Sequence, residues 1–268
     1  MVKSVACVGH NTVDKYVNQG MMYPGGNEVN VAALLSRKGI PSSYIGWVGK
    51  DIYGSLILES LKQENVDTTH CHVKDDVTTF TEVFLKNGER SFGEIRRGAS
   101  TRSRLSDDDL LFISEYDVLH TSYYSRMEQF ISENKDMLIS YDFTELATEK
   151  YLSKNLPFVD IAIISFEDRK NPEKLMKQYH SLGSEIILVT MGSKGSYIYD
   201  GELYHQPAIA GDIVDTLGAG DSFIASFISE YLRGSSTTTA MSKAAEAARE
   251  TCSHFGAFGH GIAIPENG

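Results

Sequence analysis

Only three cysteines occur in 268 residues, and Cys7, Cys71 and Cys252 stand far apart with no pair at metal-ligand spacing. That excludes a disulfide scaffold and a cysteine-rich zinc site, and it suits reduced thiols in a cytoplasmic protein. Basic residues are scarce as well. The 25 Lys and Arg against 36 Asp and Glu leave a formal charge of −11, whereas nucleic-acid binding needs a basic face. A small anionic substrate stays compatible if local donors receive it. No apolar run of ~18 residues is present, so no membrane-spanning helix is expected. In place of an apolar leader, strand-like Ser4-Val5-Ala6-Cys7-Val8 begins almost at once, which again favours the cytoplasm. Internal repeats and low-complexity linkers are missing too. With 41% hydrophobic residues the composition is that of an ordinary globular protein, and one main domain over residues 1–268 is expected.

What is present is an alternation of strand-like apolar runs with helical patterns, which implies parallel pairing through right-handed crossovers and a layered α/β fold. Strands are expected at residues 4–9, 43–48, 117–121, 138–143, 160–165 and 186–191, and helices at about 27–38, 51–65, 171–182, 219–233 and 237–254. The first strand is not followed by GxGxxG, and GxxxxGK[ST] occurs nowhere, which weakens nicotinamide dehydrogenase and P-loop ATPase readings. Two hairpins break the alternation. Residues 79–86 and 89–95 flank Asn87-Gly88, a strong turn signal, and this hairpin should stand outside the main sheet. A decorative surface hairpin is the alternative, although an isolated one is marginal without packing. The second hairpin, around Asp200-Gly201, should close the far side of the main sheet.

The most informative stretch is Asp215-Thr216-Leu217-Gly218-Ala219-Gly220-Asp221, followed at once by an apolar helical run at 222–228. Two glycines with one alanine between them let the backbone approach a ligand, and the free N–H groups of a helix start favour an anion there, a phosphate first of all. Asp221 sets an ionisable group among those donors. A carboxylate so placed is fitted to take a proton from an alcohol beside a phosphoryl group. Helix capping is the plain alternative, because Asp is among the best residues at a helix start. A second glycine-rich helix start, Gly25-Gly26-Asn27-Glu28-Val29-Asn30, precedes apolar residues at helical spacing. It puts Asn30 one turn in, where an amide suits sugar hydroxyls; a turn and cap is again the alternative.

Together the two helix starts resemble the paired signatures of the ribokinase-like, or PfkB-type, carbohydrate kinase family, and the resemblance runs from the first strand to about residue 265. It implies a three-layer α/β sandwich with a mostly parallel central sheet and a small β lid, the hairpin around 79–96, which covers the sugar and in many relatives clasps a second copy into a homodimer. It implies ATP and Mg²⁺ as cofactors. Some relatives add a potassium ion near the anion loop, to which Gly256-Ala257-Phe258-Gly259 would lend carbonyls. Carried over residue by residue, Asp221 becomes the catalytic base, and the amides around Gly218, Ala219 and Gly220 stabilise the phosphoryl group. Asp14, soon after the first strand, approaches the sugar with Gly25, Gly26 and Asn30; by itself Asp14 reads as a loop residue in an Asx-turn. Thr190-Met191-Gly192-Ser193-Lys194-Gly195 matches the Thr-x-Gly-x-x-Gly nucleotide loop, giving Thr190, Gly192 and Gly195. The family's Asn-x-x-Glu, which organises Mg²⁺ waters, is not intact. Ser165 and Asp168 stand at those positions, where a hydroxyl and a shorter carboxylate still suit metal-bound waters. Asn27 stands where ribokinases often have Lys, so the sugar contacts should differ.

Within the family the greatest likeness is to fructoselysine 6-kinases and fructosamine kinases, carried by Tyr23 to Ala32, Gly46 to Gly54, Leu105-Ser106-Asp107-Asp108-Asp109, Tyr116-Asp117-Val118-Leu119-His120 and Tyr141-Asp142-Phe143-Thr144. This implies transfer of the ATP γ-phosphoryl group to the 6-hydroxyl of a fructosamine. Another ketose or ribose-type kinase, or a sugar- or nucleotide-binding regulator without turnover, is the alternative. A fructosamine bears an amino-acid zwitterion opposite its reactive hydroxyl. Arg96 and Arg97, after the first hairpin, are candidates for its carboxylate, with a solvated face as the plain reading. His120 ends an expected strand and could touch substrate from there, but a lone histidine is more often structural.

Overall fold

Short aliphatic runs between amphipathic segments fold as the alternation requires. The computed structural model describes residues 2–86, 89–101, 104–134, 136–166 and 172–265. In chain order its elements are β1 (Val5–Val8), β2 (Thr12–Tyr16), β3 (Met21–Gly25), α1 (Asn27–Arg37), β4 (Ser42–Gly49), α2 (Ile52–Gln63), β5 (Cys71–Lys74), β6 (Phe80–Lys86), β7 (Glu89–Arg96), α3 (Asp107–Ser114), β8 (Val118–Ser122), α4 (Glu128–Glu133), β9 (Leu138–Asp142), α5 (Glu149–Asn155), β10 (Ile161–Ser165), α6 (Pro172–His180), β11 (Ile186–Thr190), β12 (Ser196–Tyr199), β13 (Leu203–Gln206), α7 (Ala219–Leu232), α8 (Thr237–Thr251) and β14 (Ile262–Ala263). All six expected strands and all five expected helices form within a few residues of their expected bounds. The short helices α3, α4 and α5 were not foreseen.

Nine strands make the main sheet in the order β13-β12-β11-β10-β9-β8-β1-β4-β5. It is parallel except at the β12–β13 hairpin, which closes one edge as expected. Alternate residues of each strand feed two separate cores. Val5, Cys7, Ile161, Ile163 and Leu188 pack with α1, α2, α7 and α8, while Ala6, Val8, Ala162, Ile164 and Val189 pack with α3 to α6. Period-two burial on both faces is what a helix-covered parallel sheet demands, and the result is the three-layer α/β sandwich. Strand order reverses between β1 and β8. Open α/β sheets bind ligands outside the carboxyl ends of strands at such a switch point.

The hairpin β6–β7 stands outside the main sheet, as expected, although its turn Asn87-Gly88 lies outside the described residues. It is not an isolated element. A second sheet of order β14-β3-β2-β6-β7 contains it, and β2 and β3, which the sequence reading did not foresee, lie between β1 and α1. Their mixed polarity and Pro24 hid them, since a proline in a run argues against a strand. Asp14 is therefore a residue of strand β2, paired with Tyr23 and Thr81 across the sheet, and not part of a loop Asx-turn. Edge strand β7 leaves Phe92 59% and Ile95 57% exposed.

A buried carboxylate fastens the other end of the main sheet. Asp109 completes a capping box with Ser106 at the start of α3, and its Oδ1 accepts from His70 Nδ1 and His72 Nε2, each at 2.9 Å. The two rings stack on Phe112 and Trp47. Burial opposes the charge, but the hydrogen bonds from Ser106 and both histidines outweigh it and hold the Asp109 carboxyl at about 2. A carboxyl depressed in the fold stabilises above its unfolded value near 3.9 and stops doing so as pH falls through the folded value. Asp109→Ala should lower stability by about 2–3 kcal/mol near neutral pH, a deficit that closes between about pH 4 and 2 in urea melts; an equal deficit at pH 7 and pH 2 contradicts the charge-based account.

Candidate functional site

The two glycine-rich helix starts meet. Asn27 and Asn30 are the first and fourth residues of α1, three apart and so on one helix face, and that face looks at the third residue of α7, Asp221. Asn27 Nδ2 donates to Asp221 Oδ1 at 2.9 Å and Asn30 Nδ2 to Oδ2 at 2.6 Å. Neither carboxylate oxygen is engaged with an N–H of its own helix, and the N-cap, Gly218, offers no side-chain cap. Burial raises the Asp221 carboxyl to about 6, against the downward pull of Asn30 and Asn27. The Asn30 Oδ1 atom is buried without a hydrogen-bond partner. An orphaned buried acceptor calls for an explanation, and a hydroxyl donor on a ligand supplies one.

A polar cluster surrounds this pair at the carboxyl ends of β8 and β9. Asp142 Oδ2 accepts from the same Asn27 Nδ2 at 2.9 Å, and Asp142 Oδ1 accepts from Thr144 N at 2.8 Å. Glu28 accepts from Ser125 Oγ at 2.6 Å and His10 N at 3.1 Å. Burial, with the neighbouring Asp221 charge adding, pushes Glu28 to about 7, and burial with the charges of Asp221 and Glu28 pushes Asp142 to about 7. His120 is fully buried in the same cluster, with Nε2 2.9 Å from Asn27 Oδ1 and Nδ1 3.0 Å from Ser140 Oγ. Asp14 is buried on β2 with its carboxylate over Gly25, where a Cβ would lie 2.3 Å from Oδ2. A Cβ at Gly26 would sit 2.7 Å from Asn11 Cα.

On the other side of the α7 start lies a cavity of about 510 Å³ that brings together Thr190, Gly192 and Gly195 from the β11 turn with Ala219 and Gly220 from the anion loop. Gly220 faces open space, since a Cβ there meets nothing within 4 Å, whereas Gly218 packs on Ala257, where a Cβ would come within 2.1 Å of Ala257 Cβ. Ser165 does not line the cavity but sits beside it, its Oγ 3.1 Å from Thr190 Oγ1. Asp168 lies outside the described residues. Asp215 ties the loop down, accepting from Leu217 N at 3.0 Å and from the Tyr16 hydroxyl of β2. Arg97 is exposed, and its charge reaches His10, which burial first and then the Arg97 charge lower to about 4. Arg96 lies across from Phe80 on the exposed edge strand.

The sequence reading missed four contributors. Asn27 was noticed only as a substitution and Asp142 only within a matching string, and His120 was given a structural reading. Arg249 of α8, whose Nε a Cβ at Gly211 would approach within 2.5 Å, lines the large cavity. The i, i+3 spacing of Asn27 and Asn30 was the one signal in the chain that pointed to a shared target. Asn30→Ala should raise the Asp221 carboxyl pKa above 6 by up to about one unit, because a hydrogen bond to the ionised form is lost. Carboxyl ¹³C NMR titration checks this, and an unmoved titration contradicts the geometry.

Comparison with known proteins agrees with this architecture. Residues 3–260 match the family described as pfkB family carbohydrate kinase. The chain is 39% identical over 262 residues to "Fructosamine kinase FrlD" of Bacillus subtilis (strain 168), covering 95% of this chain and 92% of that protein. It is 31% identical over 261 residues to "Fructoselysine 6-kinase" of Escherichia coli (strain K12), covering 96% and 100%. Among solved structures, a ribokinase of Arabidopsis thaliana complexed with ribose and ATP shares the fold with a TM-score of 0.82 at 24% identity, over 96% of this chain and 95% of that one. Among the described residues no helix is long and apolar enough to cross a membrane. With a family match over nearly the whole chain and two relatives above 30% identity, this protein belongs to the pfkB family of carbohydrate kinases.

Proposed function

We propose that the protein transfers the γ-phosphoryl group of ATP to the 6-hydroxyl of a fructosamine, fructoselysine first among them. The observation that carries this reading is the Asp221 carboxylate, held by Asn27 and Asn30 in the buried polar cluster and next in the chain to Gly220, which lines the 510 Å³ cavity. ATP occupies the cavity, its phosphates toward the free amides at the start of α7, where the helix dipole favours negative charge. Asp14 and the unpartnered Asn30 Oδ1 orient the acceptor, and Asp221 takes the hydroxyl proton as the phosphoryl group passes in line. Mg²⁺ fits as a water- and phosphate-bound ion: Ser165, hydrogen-bonded to cavity-lining Thr190, offers a hydroxyl to a metal-bound water, and Asp168 is the second proposed contact. When bound, Mg²⁺ neutralises nucleotide charge. A potassium site beside the loop is proposed where Gly218 abuts Ala257.

The names of the two relatives support the fructosamine over a plain sugar, as does the rim. Arg97, beside His10 and Tyr124, is the better of the two arginines for the amino-acid carboxylate, while Arg96 is proposed as a secondary contact. The second sheet is proposed to act as a lid over the acceptor and to pair two copies through the exposed Phe92 and Ile95 of β7.

Asp221→Asn should retain ATP binding yet lose ~10²–10⁴ in turnover; near wild-type turnover reduces Asp221 to a structural residue. Wild-type kcat/KM should rise with pH through a midpoint near 6, because only the ionised carboxyl accepts a proton, and a flat profile from pH 5 to 8 counts against the base. Asp14→Ala should raise the sugar KM far more than the ATP KM. Fructoselysine should exceed fructose and ribose in kcat/KM, and a plain sugar that wins sinks the fructosamine assignment. Phe92→Glu with Ile95→Glu should yield a monomer in sedimentation analysis; an unchanged mass removes the clasp.

A further inference from the structure

Asn27 is chemically ambiguous, because its amide can sit either way round with almost the same shape. In one orientation the NH₂ group serves both Asp142 and Asp221; in the other, the carbonyl oxygen faces two carboxylates. Something must set the choice, and the carboxylates do so only when they are ionised. The remaining neighbour of the amide is His120, whose ring cannot turn away: it is fully buried, with Nδ1 on Ser140 of the adjacent strand and Nε2 on Asn27 Oδ1. His120 and Ser140 share one row of the sheet, so the ring is held by strand register and does not depend on a loop.

We propose that His120 is a positioning residue for phosphoryl transfer: as a neutral Nε2–H donor to Asn27 Oδ1, it locks the amide so that Nδ2 faces Asp221 and Asp142. The assignment of hydrogens follows in one direction. Asn27 Oδ1 can only accept, so His120 Nε2 carries the hydrogen, Nδ1 is bare, and the Ser140 hydroxyl donates to it. Burial keeps the ring neutral, at about 3, so the group stays a single-tautomer donor throughout the working pH range. Among the described residues, the ionisable groups coupled to Asp221 are Asp142 from β9 and Glu28 from α1. Both are acidic, so the two amides are what favour its ionised form. If the Asn27 amide loses its orientation, one of these donors goes, and the Asp221 titration moves up.

This rests on Asp221 as the base, so the test reads orientation and catalysis separately. His120→Met should move the Asp221 carboxyl titration, followed by ¹³C NMR, upward by about half to one pH unit. The acid limb of kcat/KM should follow it, giving a loss of about two- to fivefold at pH 6 that nearly vanishes by about pH 8. His120→Gln, which can place an N–H near the same point, should restore the wild-type profile. In an Asn27→Ala background, His120→Met should add nothing to the shift. An unmoved titration in folded His120→Met, or additive effects in the double variant, overturns the proposal. Imidazole ¹⁵N shifts of the wild-type protein supply a test that needs no variant to fold: Nε2 protonated and Nδ1 bare between about pH 5 and 8 is the expected result, and an Nδ1-protonated or cationic ring overturns it. The NMR titration judges the positioning role even if Asp221→Asn keeps its turnover and the base assignment falls.

Discussion

The site depends on one opposition, between the burial of the Asp221 carboxyl and the two amide donors that face it. Burial alone would favour the protonated acid, which cannot accept a proton; Asn27 and Asn30 pull the group back to about 6. A carboxyl balanced near 6 is mostly ionised at neutral pH and still basic enough to assist an alcohol, where a free aspartate near 3.9 is weaker. The balance is struck between residues nearly two hundred positions apart, so it exists only when α1 and α7 pack with their N-terminal turns together. These helices sit side by side on one face of the main sheet, and the strands beneath contribute His120 and Ser140 from the middle of β8 and β9 and Asp142 from the carboxyl end of β9.

The second sheet is bound into the same arrangement. Tyr16 of β2 donates to Asp215 at the head of the anion loop, Asp14 lies over Gly25 at the end of β3, and β3 runs straight into α1. Movement of that sheet would therefore reach both helix starts. A β layer that touches the loop on one side and the acceptor residues on the other suits a cover that excludes water while the phosphoryl group moves.

Much of this was legible in the chain. The main sheet could be read because each of its strands is a short aliphatic run, and the start of α7 because its parts are contiguous: glycines, helix start and carboxylate lie within seven residues. Asn30 could be placed by helical spacing alone. What could not be read was partnership across the fold. His120 and Asp142 are unremarkable in sequence, Asn27 stands out only by its spacing from Asn30 and the Lys it replaces, and all three acquire their partners only through hydrogen bonds over 93 to 194 positions. β2 and β3 were hidden because their alternation is broken by Lys15 and Pro24, and they are strands because the second sheet gives them partners. Arg249 carries no signal beyond its place in an expected helix, and only the cavity that it lines with Gly211 sets it beside the proposed nucleotide.

The central claim is that this constellation carries a phosphoryl group to a particular oxygen. ³¹P–¹H correlation NMR of the product formed from ATP and fructoselysine tests it most directly. The account predicts one phosphomonoester coupled to the protons on carbon 6 of the sugar, formed in step with ADP. A phosphate on another carbon, or ADP accumulating with only inorganic phosphate beside it, would contradict it.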